Sequence, residues 1–433
     1  MFSRILPRIV SVALSIATGL LAMTPAAAQW TTTGLYVPQL VAYDNAVQQM
    51  MTNHNIPSAQ LAITYQGRLV LARGYSYNPG PNDITTQPDS LFRIASLSKP
   101  LTSILINRLI QENRLSLTNT LGQYVSLTPR SGTTADPRLA SVTIRNLLEH
   151  RAGFGNVPSS GQDPMFADET IAPQLGVGLP ISMANIISYM NGVPLNSNPG
   201  TTENYSNYGY LLLGRVIESV TGMSYADYVA SVLRPIGIWD LRLGKSELSG
   251  RGAREVYYSA APWTHVNVMN NSGATVPYAY GGFNIQNMDA HGGWIMSAVE
   301  MVRLLSNLDS PAAASAILNQ TSLNRMYGLP QNYPLPYVNG NAYYAQGWSV
   351  INFGSGKNVW HAGSLPGTST MMIRSQYGYD YALFFNRRDE SGATSYTLEM
   401  DNAMWSAYSQ VTQWPTHDLF GSWLPTVFKS GFD

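Results

Sequence analysis

Apolar residues in two short runs give the first regular pattern of the sequence. The runs cover residues 61–65 and 69–72, and Gln66 and Gly67 join them. Glycine readily adopts the positive φ that a tight hairpin turn requires. The pattern therefore predicts an antiparallel pair of strands between residues 60 and 77. Four further β-leaning runs are predicted strands: residues 347–353, 358–361, 370–374 and 381–386.

In other segments the apolar residues recur at the spacing of a helix. In residues 97–112, four leucines and an isoleucine lie close to this spacing, and Pro100 is tolerated because it falls in the first turn. Ser96 is therefore predicted at the start of a helix. Helices are also predicted in five other segments: residues 38–51, 144–149, 208–220, 297–308 and 395–410. The middle of the chain is expected to be mostly helical.

Long stretches rich in Gly, Pro, Ser and Asn separate the predicted elements. They cover residues 129–137, 153–165, 194–203 and the tyrosine-rich run 257–293. Loops of this length in a compact domain usually form functional surfaces or are disordered. We expect them to form the walls of a binding cleft.

Residues 1–28 have the pattern of a signal peptide. Two arginines precede the apolar run 9–23, and Ala26 to Ala28 stand directly before Gln29. The alternative is a membrane anchor, but the strongly apolar part is shorter than the roughly 20 residues that a span needs. We expect cleavage near Ala28, a periplasmic or secreted protein, and no stable membrane span in the mature chain.

Composition and charge narrow the class of partner. The chain has 25 basic and 25 acidic residues, and removal of the two arginines in residues 1–28 leaves a formal charge of −2. No basic surface for nucleic acid is expected, and a small molecule or a wall polymer is the favoured partner. The chain has no cysteine, which excludes disulfides, a thiol nucleophile and cysteine metal sites.

Ser96 and Lys99 form the pattern with the clearest chemistry. A serine hydroxyl becomes a good nucleophile when a neighbouring base removes its proton. Positions i and i+3 share a helix face, so Lys99 is predicted beside Ser96, and burial can lower the pKa of a lysine towards that task. The helix N-terminus adds N–H donors for an oxyanion. The short motif alone also fits an exposed lysine in a first helical turn.

Five segments in chain order resemble the motifs of the serine β-lactamase-related hydrolases. This family includes class C β-lactamases, D,D-carboxypeptidases and family VIII carboxylesterases, and has the penicillin-binding-protein fold. The segments are Phe92–Lys99 (FRIASLSK), Thr143–His150 (TIRNLLEH) with Gly153, Tyr205–Tyr210 (YSNYGY), Gly292-Gly293 with Ser297-Ala298, and His361–Gly363 (HAG). Motifs of rival classes, such as a Gly-x-Ser-x-Gly elbow or His-Glu-x-x-His, are absent from the sequence.

The resemblance implies an α/β (α+β) fold of the β-lactamase/transpeptidase type. An antiparallel sheet flanked by helices would be built from both chain ends, with a mainly helical lobe inserted at about residues 115–295. Residues 29–433 would form one catalytic domain, with the active site between the lobes. The resemblance implies no cofactor and no metal, and leaves the oligomeric state unknown.

The resemblance also implies roles for individual residues. Ser96 would be acylated, and Tyr205 would shuttle a proton, its phenol made more acidic by the ammonium of Lys99. Whether Lys99 or Tyr205 is the base stays open. Asn207 would point its amide at the acyl-side amide or ester of the substrate, with a plain structural role as the alternative.

Two residues of the His361–Gly363 segment and the adjoining Ser364 complete the predicted site. Gly363 would let the substrate lie close to the strand, and the N–H groups of Ser96 and Ser364 would form the oxyanion hole. His361 stands where true β-lactamases have a lysine, and an imidazole near its pKa would grip a β-lactam carboxylate less strongly.

Histidine at this position resembles D,D-carboxypeptidase, D-aminopeptidase and esterase members. The sequence therefore favours an ester or D-amino-acid peptide substrate. The alternatives are a class C-like β-lactamase and a non-catalytic penicillin-like binder of wall peptide. His150 and His291 fall in segments of the family that look structural, so both are left outside the site.

Overall fold

A large antiparallel sheet is built from both ends of the described chain. The computed structural model describes residues 29–310, 312–314, 316–332 and 342–423, so the predicted signal peptide lies outside the described residues. The eight strands of the sheet are β1 (Trp30–Thr33), β2 (Ser58–Tyr65), β3 (Arg68–Tyr77), β9 (Ala342–Tyr344), β10 (Ser349–Asn352), β11 (Lys357–Leu365), β12 (Thr368–Arg374) and β13 (Tyr379–Phe385). Their order across the sheet is β1-β3-β2-β13-β12-β11-β10-β9.

Short strands and helices make up the rest of the regular structure. The short strands are β4 (Phe92–Arg93), β5 (Arg242–Leu243), β6 (Thr264–Val266), β7 (Thr275–Pro277) and β8 (Trp294–Met296). The helices are α1 (Val41–Asn53), α2 (Ser98–Gln111), α3 (Ile144–Leu148), α4 (Asp168–Leu175), α5 (Met183–Met190), α6 (Asn207–Thr221), α7 (Tyr225–Leu233), α8 (Ala298–Asp309), α9 (Gln320–Met326) and α10 (Tyr396–Ser409). Of the described residues, none lies in a helix long and apolar enough to cross a membrane.

The β2–β3 hairpin forms where the sequence predicts it. Tyr65 pairs with Arg68, so only Gln66 and Gly67 make the turn, and both have positive φ, 51° and 76°. Two central residues with positive φ give the turn whose twist matches that of paired strands. The predicted hairpin is therefore confirmed, and it forms one side of the sheet, where β2 pairs with β13 from the C-terminal part of the chain.

Apolar side chains cover both faces of the central strands. On β13, Tyr381, Leu383 and Phe385 belong to a core cluster with α1 and α10, while Ala382 and Phe384 belong to the larger cluster that extends into the helical region. Alternate residues of a strand point to opposite faces, which explains this division. The sheet is thus a middle layer between helices, and the predicted fold class of an antiparallel sheet flanked by helices is confirmed.

The region between residues 115 and 295 is less regular than the sequence suggests. Helices α3 to α7 make up most of the regular structure here, as expected of a mainly helical lobe, but long segments without regular structure separate them. Inside the predicted loop 257–293, strands β6 and β7 form a small hairpin. The abundance of Gly, Pro and Asn in these segments disfavours helix and explains the difference.

Candidate active site

Ser96 lies in a tight turn between strand β4 and helix α2. Residues Ala95–Leu97 form a single 3-10 turn, here called the Ser96 turn, and α2 begins at the next residue. The predicted position of Ser96 at a helix start is therefore confirmed. Ala95 has a φ of 50°, in the left-handed region that non-glycine residues rarely adopt. Such a conformation persists where surrounding contacts hold it.

Strand β11 packs directly against the Ser96 turn at Gly363. A Cβ atom on Gly363 would lie 2.5 Å from the carbonyl oxygen of Ile94 and 3.0 Å from Cβ of Ala95. The side chain of Thr370 on β12 donates a 2.9 Å hydrogen bond to the same Ile94 oxygen. The space that Gly363 leaves is thus filled by Thr370, Ile94 and Ala95, and a contact of Gly363 with substrate stays a prediction.

Lys99 is fully buried, and three oxygen atoms surround its amine. Nζ lies 3.0 Å from Oγ of Ser96, 2.7 Å from Oδ1 of Asn207 and 3.0 Å from the backbone oxygen of His291. Burial lowers the pKa of Lys99 to about 7, although the negative charge of Asp163 opposes the shift. A substantial fraction of Lys99 is therefore neutral at neutral pH and able to accept a proton.

Tyr205 brings its hydroxyl to Ser96. Ser96 interacts with this hydroxyl and acts to lower its pKa, and Nζ of Lys99 lies 4.6 Å from the centre of the Tyr205 ring. Although the residue as a whole is 47% exposed, the hydroxyl end is enclosed, and this burial raises the pKa of Tyr205 above its ordinary value. The expectation of a more acidic phenol is therefore wrong, because burial disfavours the phenolate and the negative charge of Asp163 adds to the rise in the pKa.

Asn207 links Lys99 to an acidic residue that the sequence did not single out. Its Oδ1 accepts from Lys99, and its Nδ2 donates to Oδ2 of Asp163 over 2.8 Å. The other oxygen of Asp163 accepts from the N–H of Met165 and caps the 3-10 turn Pro164–Phe166. The sequence signal for Asp163 was its place before a proline, which is typical of a cap. A substrate contact of Asn207 stays a prediction.

His361 lies on β11 with both ring nitrogens in hydrogen bonds. Nδ1 is 2.7 Å from the backbone oxygen of Ala362, which can only accept, so Nδ1 carries the proton. Nε2 then accepts from the hydroxyl of Tyr344, 3.0 Å away, a residue that the sequence did not single out. Burial, with a further contribution from the charge of Lys99, lowers the pKa of His361 to about 3. The expectation of an imidazole near its ordinary pKa is therefore wrong, and His361 is neutral.

Ser364 follows Gly363 on β11, and its side chain is exposed. The strand packs on the Ser96 turn, so the backbones of Ser364 and Ser96 lie on adjacent segments. Their joint role as an oxyanion hole stays a prediction. Arg388 donates from Nη1 to Oγ of Ser364 over 3.1 Å and from Nε to Glu390 over 2.8 Å. The rim of the site therefore carries a guanidinium whose charge is paired.

His150 and His291 are buried and contact other residues of the site. Nδ1 of His150 accepts from the N–H of Ser206, and the His150 ring lies 4.3 Å from the Tyr205 ring between centres. His291 contributes its backbone oxygen to Lys99. Burial lowers the pKa of both histidines well below the ordinary value, so both stay neutral. Sequence reasoning missed the carbonyl of His291 because a backbone contact leaves no side-chain signature.

The histidines and acidic residues near Lys99 are not arranged as a metal site. Across the four described ranges, no three His, Asp or Glu side chains are grouped so that they could hold a metal ion. The groups around Ser96 are instead a buried amine, a phenol and an amide. This arrangement can activate a hydroxyl and move its proton.

The match to known families agrees with the geometry. A serine beside a buried amine on a sheet-and-helix scaffold defines the class of serine hydrolases with a β-lactamase-type fold. The family model described as Beta-lactamase matches residues 43–402, so the chain belongs to this family. Protein flp of Staphylococcus aureus (strain NCTC 8325 / PS 47) is 24% identical over 353 residues. The match covers 80% of this chain but 63% of that relative, so the chain spans less than two thirds of its length.

Two solved structures show the same fold. The octameric penicillin-binding protein homologue from Pyrococcus abyssi superposes with a TM-score of 0.63 at 21% identity, covering 87% of this chain and 79% of that one. The D-amino acid amidase from Ochrobactrum anthropi SV3, complexed with D-phenylalanine, has a TM-score of 0.63 at 20% identity and covers 86% and 99%. These likenesses confirm the β-lactamase/transpeptidase-like fold.

Proposed function

We propose that the protein cleaves an ester bond or a D-amino-acid peptide or amide bond through an acyl-enzyme on Ser96. The observation that carries this proposal is the 3.0 Å contact between Oγ of Ser96 and Nζ of Lys99, a buried amine whose pKa is about 7. The similarity to the D-amino acid amidase supports the D-amino-acid class of substrate.

Acylation begins with the transfer of the Ser96 proton to neutral Lys99. Oγ then forms a bond to the carbonyl carbon of the substrate, and the carbonyl oxygen becomes negative. The N–H groups of Ser96 and Ser364 stabilise this oxygen, and each such donor typically contributes about 3 kcal/mol. Tyr205, which keeps its proton at neutral pH, gives it to the leaving alcohol or amine and is reprotonated by the Lys99 ammonium.

Water releases the acyl group in the second step. Neutral Lys99 accepts a proton from the attacking water, and the C–O bond to Ser96 breaks as the acid product forms. The proton held by Lys99 returns to Oγ, which restores the starting state. The cycle consumes one water and no cofactor.

The neutral state of His361 favours this substrate class over β-lactams. A lysine at this position would present a permanent cation to a β-lactam carboxylate, whereas His361 has a pKa of about 3 and is uncharged at neutral pH. The nearby Arg388 is paired with Glu390. We therefore place β-lactamase activity second.

A substrate panel on residues 29–433 tests the proposal. We expect hydrolysis of p-nitrophenyl esters, D-amino acid amides or D-Ala-D-Ala peptides, and loss of that hydrolysis in Ser96→Ala. Ser98→Ala is the matched control, since its hydroxyl donates to the carbonyl of Ala95 and does not contact Lys99. Wild-type turnover in Ser96→Ala would show that the nucleophile is wrong.

Two further results would change the proposal. A high kcat/KM for nitrocefin, above that for every ester and D-peptide, would make β-lactamase the better description. Binding of wall peptide without a fluorophosphonate adduct on Ser96 would identify a non-catalytic binder instead.

We also propose that residues 1–28 direct export and are removed. The two arginines, the apolar run and the alanines before Gln29 support this. N-terminal sequencing of the protein from the periplasm or medium of an expressing bacterium should begin at Gln29. An N-terminus at Met1 in the cytoplasmic fraction would contradict it.

A further inference from the structure

We propose that Asp163 is a positioning residue that fixes the Asn207 amide so that the lone pair of neutral Lys99 faces Ser96. The inference rests on the proposed role of Ser96 as a nucleophile. It adds a residue from the 153–165 loop to the machinery that activates this nucleophile.

The contacts form one continuous chain from Asp163 to Ser96. Oδ2 of Asp163 lies 2.8 Å from Nδ2 of Asn207, and Oδ1 of Asn207 lies 2.7 Å from Nζ of Lys99. Nζ in turn lies 3.0 Å from Oγ of Ser96. Every link is within hydrogen-bond distance.

The donor and acceptor capacities along this chain allow one arrangement. Both oxygens of Asp163 accept from N–H donors, of Met165 and of Asn207, and these bonds favour the ionised carboxylate against the rise in the Asp163 pKa that burial causes. A carboxylate can only accept, so the NH₂ end of the Asn207 amide must face it. The oxygen end of the same amide must then face Lys99.

The same count of hydrogen-bond donors and acceptors fixes the direction of the Lys99 lone pair. A neutral amine has two N–H donors and one lone pair. The carbonyl of His291 and the Oδ1 of Asn207 can only accept, so they take both N–H groups. The third neighbour is Oγ of Ser96, and the lone pair therefore points at the hydroxyl whose proton it must accept.

Loss of the Asp163 carboxylate removes this constraint. A freed amide can rotate and present its NH₂ end to Lys99, where it competes with Ser96 for the lone pair. The carboxylate also acts through charge, because it favours the ammonium form of Lys99 and raises its pKa. Its removal should therefore lower the pKa of Lys99 further while it slows the transfer of the Ser96 proton.

Two substitutions separate positioning from capping. Ser and Asn are as good as Asp at a helix or turn N-cap, so Asp163→Ser and Asp163→Asn keep the bond to Met165. In Asp163→Asn the new NH₂ group faces Asn207 and turns its amide over, whereas Asp163→Ser only releases it. We expect Asp163→Asn to be the more severe change.

Asp136→Ser and Asp136→Asn are the matched controls. Asp136 also precedes a proline and caps a 3-10 turn, Pro137–Ser141, but its bonds go to Arg138 and Leu195. These controls measure how the loss of a capping carboxylate that does not contact Asn207 or Lys99 changes the labelling of Ser96.

The readout is the rate at which a fluorophosphonate labels Ser96, followed by intact mass between pH 5 and 9. We expect a fall of roughly 10- to 100-fold in Asp163→Asn, since general-base catalysis typically contributes 10²–10⁴-fold. The acidic limb of the pH–rate profile should move to lower pH in both Asp163 variants and stay in place in the Asp136 controls.

The role of Asp163 would be overturned if both Asp163 variants were labelled at the wild-type rate and kept the acidic limb of the wild-type pH–rate profile. A wild type that is neither labelled nor active on any substrate of the panel would instead contradict the proposed function. The two failures are therefore distinguishable.

Discussion

Lys99 and Tyr205 contact the same hydroxyl, and burial moves their pKa values in opposite directions. Loss of solvation disfavours the charged form of either group, which is the ammonium of Lys99 and the phenolate of Tyr205. The pKa of Lys99 falls to about 7, and that of Tyr205 rises. The sequence left the base open between these two residues, and the burial of both favours Lys99 as the base and Tyr205 as the acid.

Replacement of Lys99 by methionine tests the base. Methionine fills similar space without an amine, so Lys99→Met should lower kcat/KM for an ester about 10²- to 10⁴-fold, the usual contribution of a general base. Lys245→Met is the control, because Lys245 is exposed. Steady-state kinetics on folded variants measure the effect, and a loss of less than tenfold would argue for another base.

Replacement of Tyr205 by phenylalanine tests the acid. If Tyr205 protonates the leaving group, Tyr205→Phe should slow a poor leaving group, such as a D-amino acid amide, at least tenfold more than an activated p-nitrophenyl ester. The ratio of kcat/KM for the two substrates measures this. An equal loss for both substrates would contradict the assignment.

At the scale of secondary structure elements, strands β11 and β12 hold the Ser96 turn in place. Gly363 lets β11 approach Ile94 and Ala95, and Thr370 ties the Ile94 carbonyl to β12. The positive φ of Ala95 persists within these contacts. The position of Ser96 thus depends on two strands that lie more than 260 residues further along the chain.

A methyl group at Gly363 should disturb this packing. Gly363→Ala places Cβ against the Ile94 carbonyl, and we expect at least a tenfold loss of kcat together with a lower melting temperature. Gly421→Ala is the control, since no atom lies within 4 Å of its Cβ position. Activity assays and thermal melts follow both variants, and wild-type kcat in Gly363→Ala would refute the packing argument.

Elements that carry local signals were predictable from the sequence. Gly67 marked the β2–β3 turn, and the helical spacing after Ser96 marked α2. The contact between Asp163 and Asn207 was not predictable, because it joins a loop to a helix that begins 44 residues later. Tyr344 meets His361 only through the pairing of β9, β10 and β11. The local sequence pattern predicts individual helices and strands. The side-chain contacts across the site depend on how those helices and strands pack together.

At the scale of the whole molecule, the sheet joins two layers of apolar core. One cluster packs α1 and α10 on one face, and the other continues from the opposite face into the helical region around Ser96. Phe384 on β13 belongs to this second cluster and is fully buried, with its ring 6.1 Å from that of Phe92 between centres. The stability of the active site is therefore tied to that of the sheet.

Truncation of Phe384 should destabilise the molecule as a whole. Phe384→Ala is expected to lower the free energy of unfolding by about 3–5 kcal/mol, the usual cost of such a cavity. Phe353→Ala, at a position that is 50% exposed, should change it by less than about 1 kcal/mol. Urea titration followed by circular dichroism measures both, and a loss below 1 kcal/mol in Phe384→Ala would contradict a shared core.

The central claim is that neutral Lys99 activates Ser96 for acylation. The most direct test is acid-quench mass spectrometry of the adduct formed with a p-nitrophenyl ester between pH 5 and 9. We predict an adduct on Ser96 that is absent in Ser96→Ala, with a rate that rises through a midpoint near pH 7, where Lys99 loses its proton. An adduct that also forms on Ser96→Ala, or a rate that does not change with pH across this range, would contradict the claim.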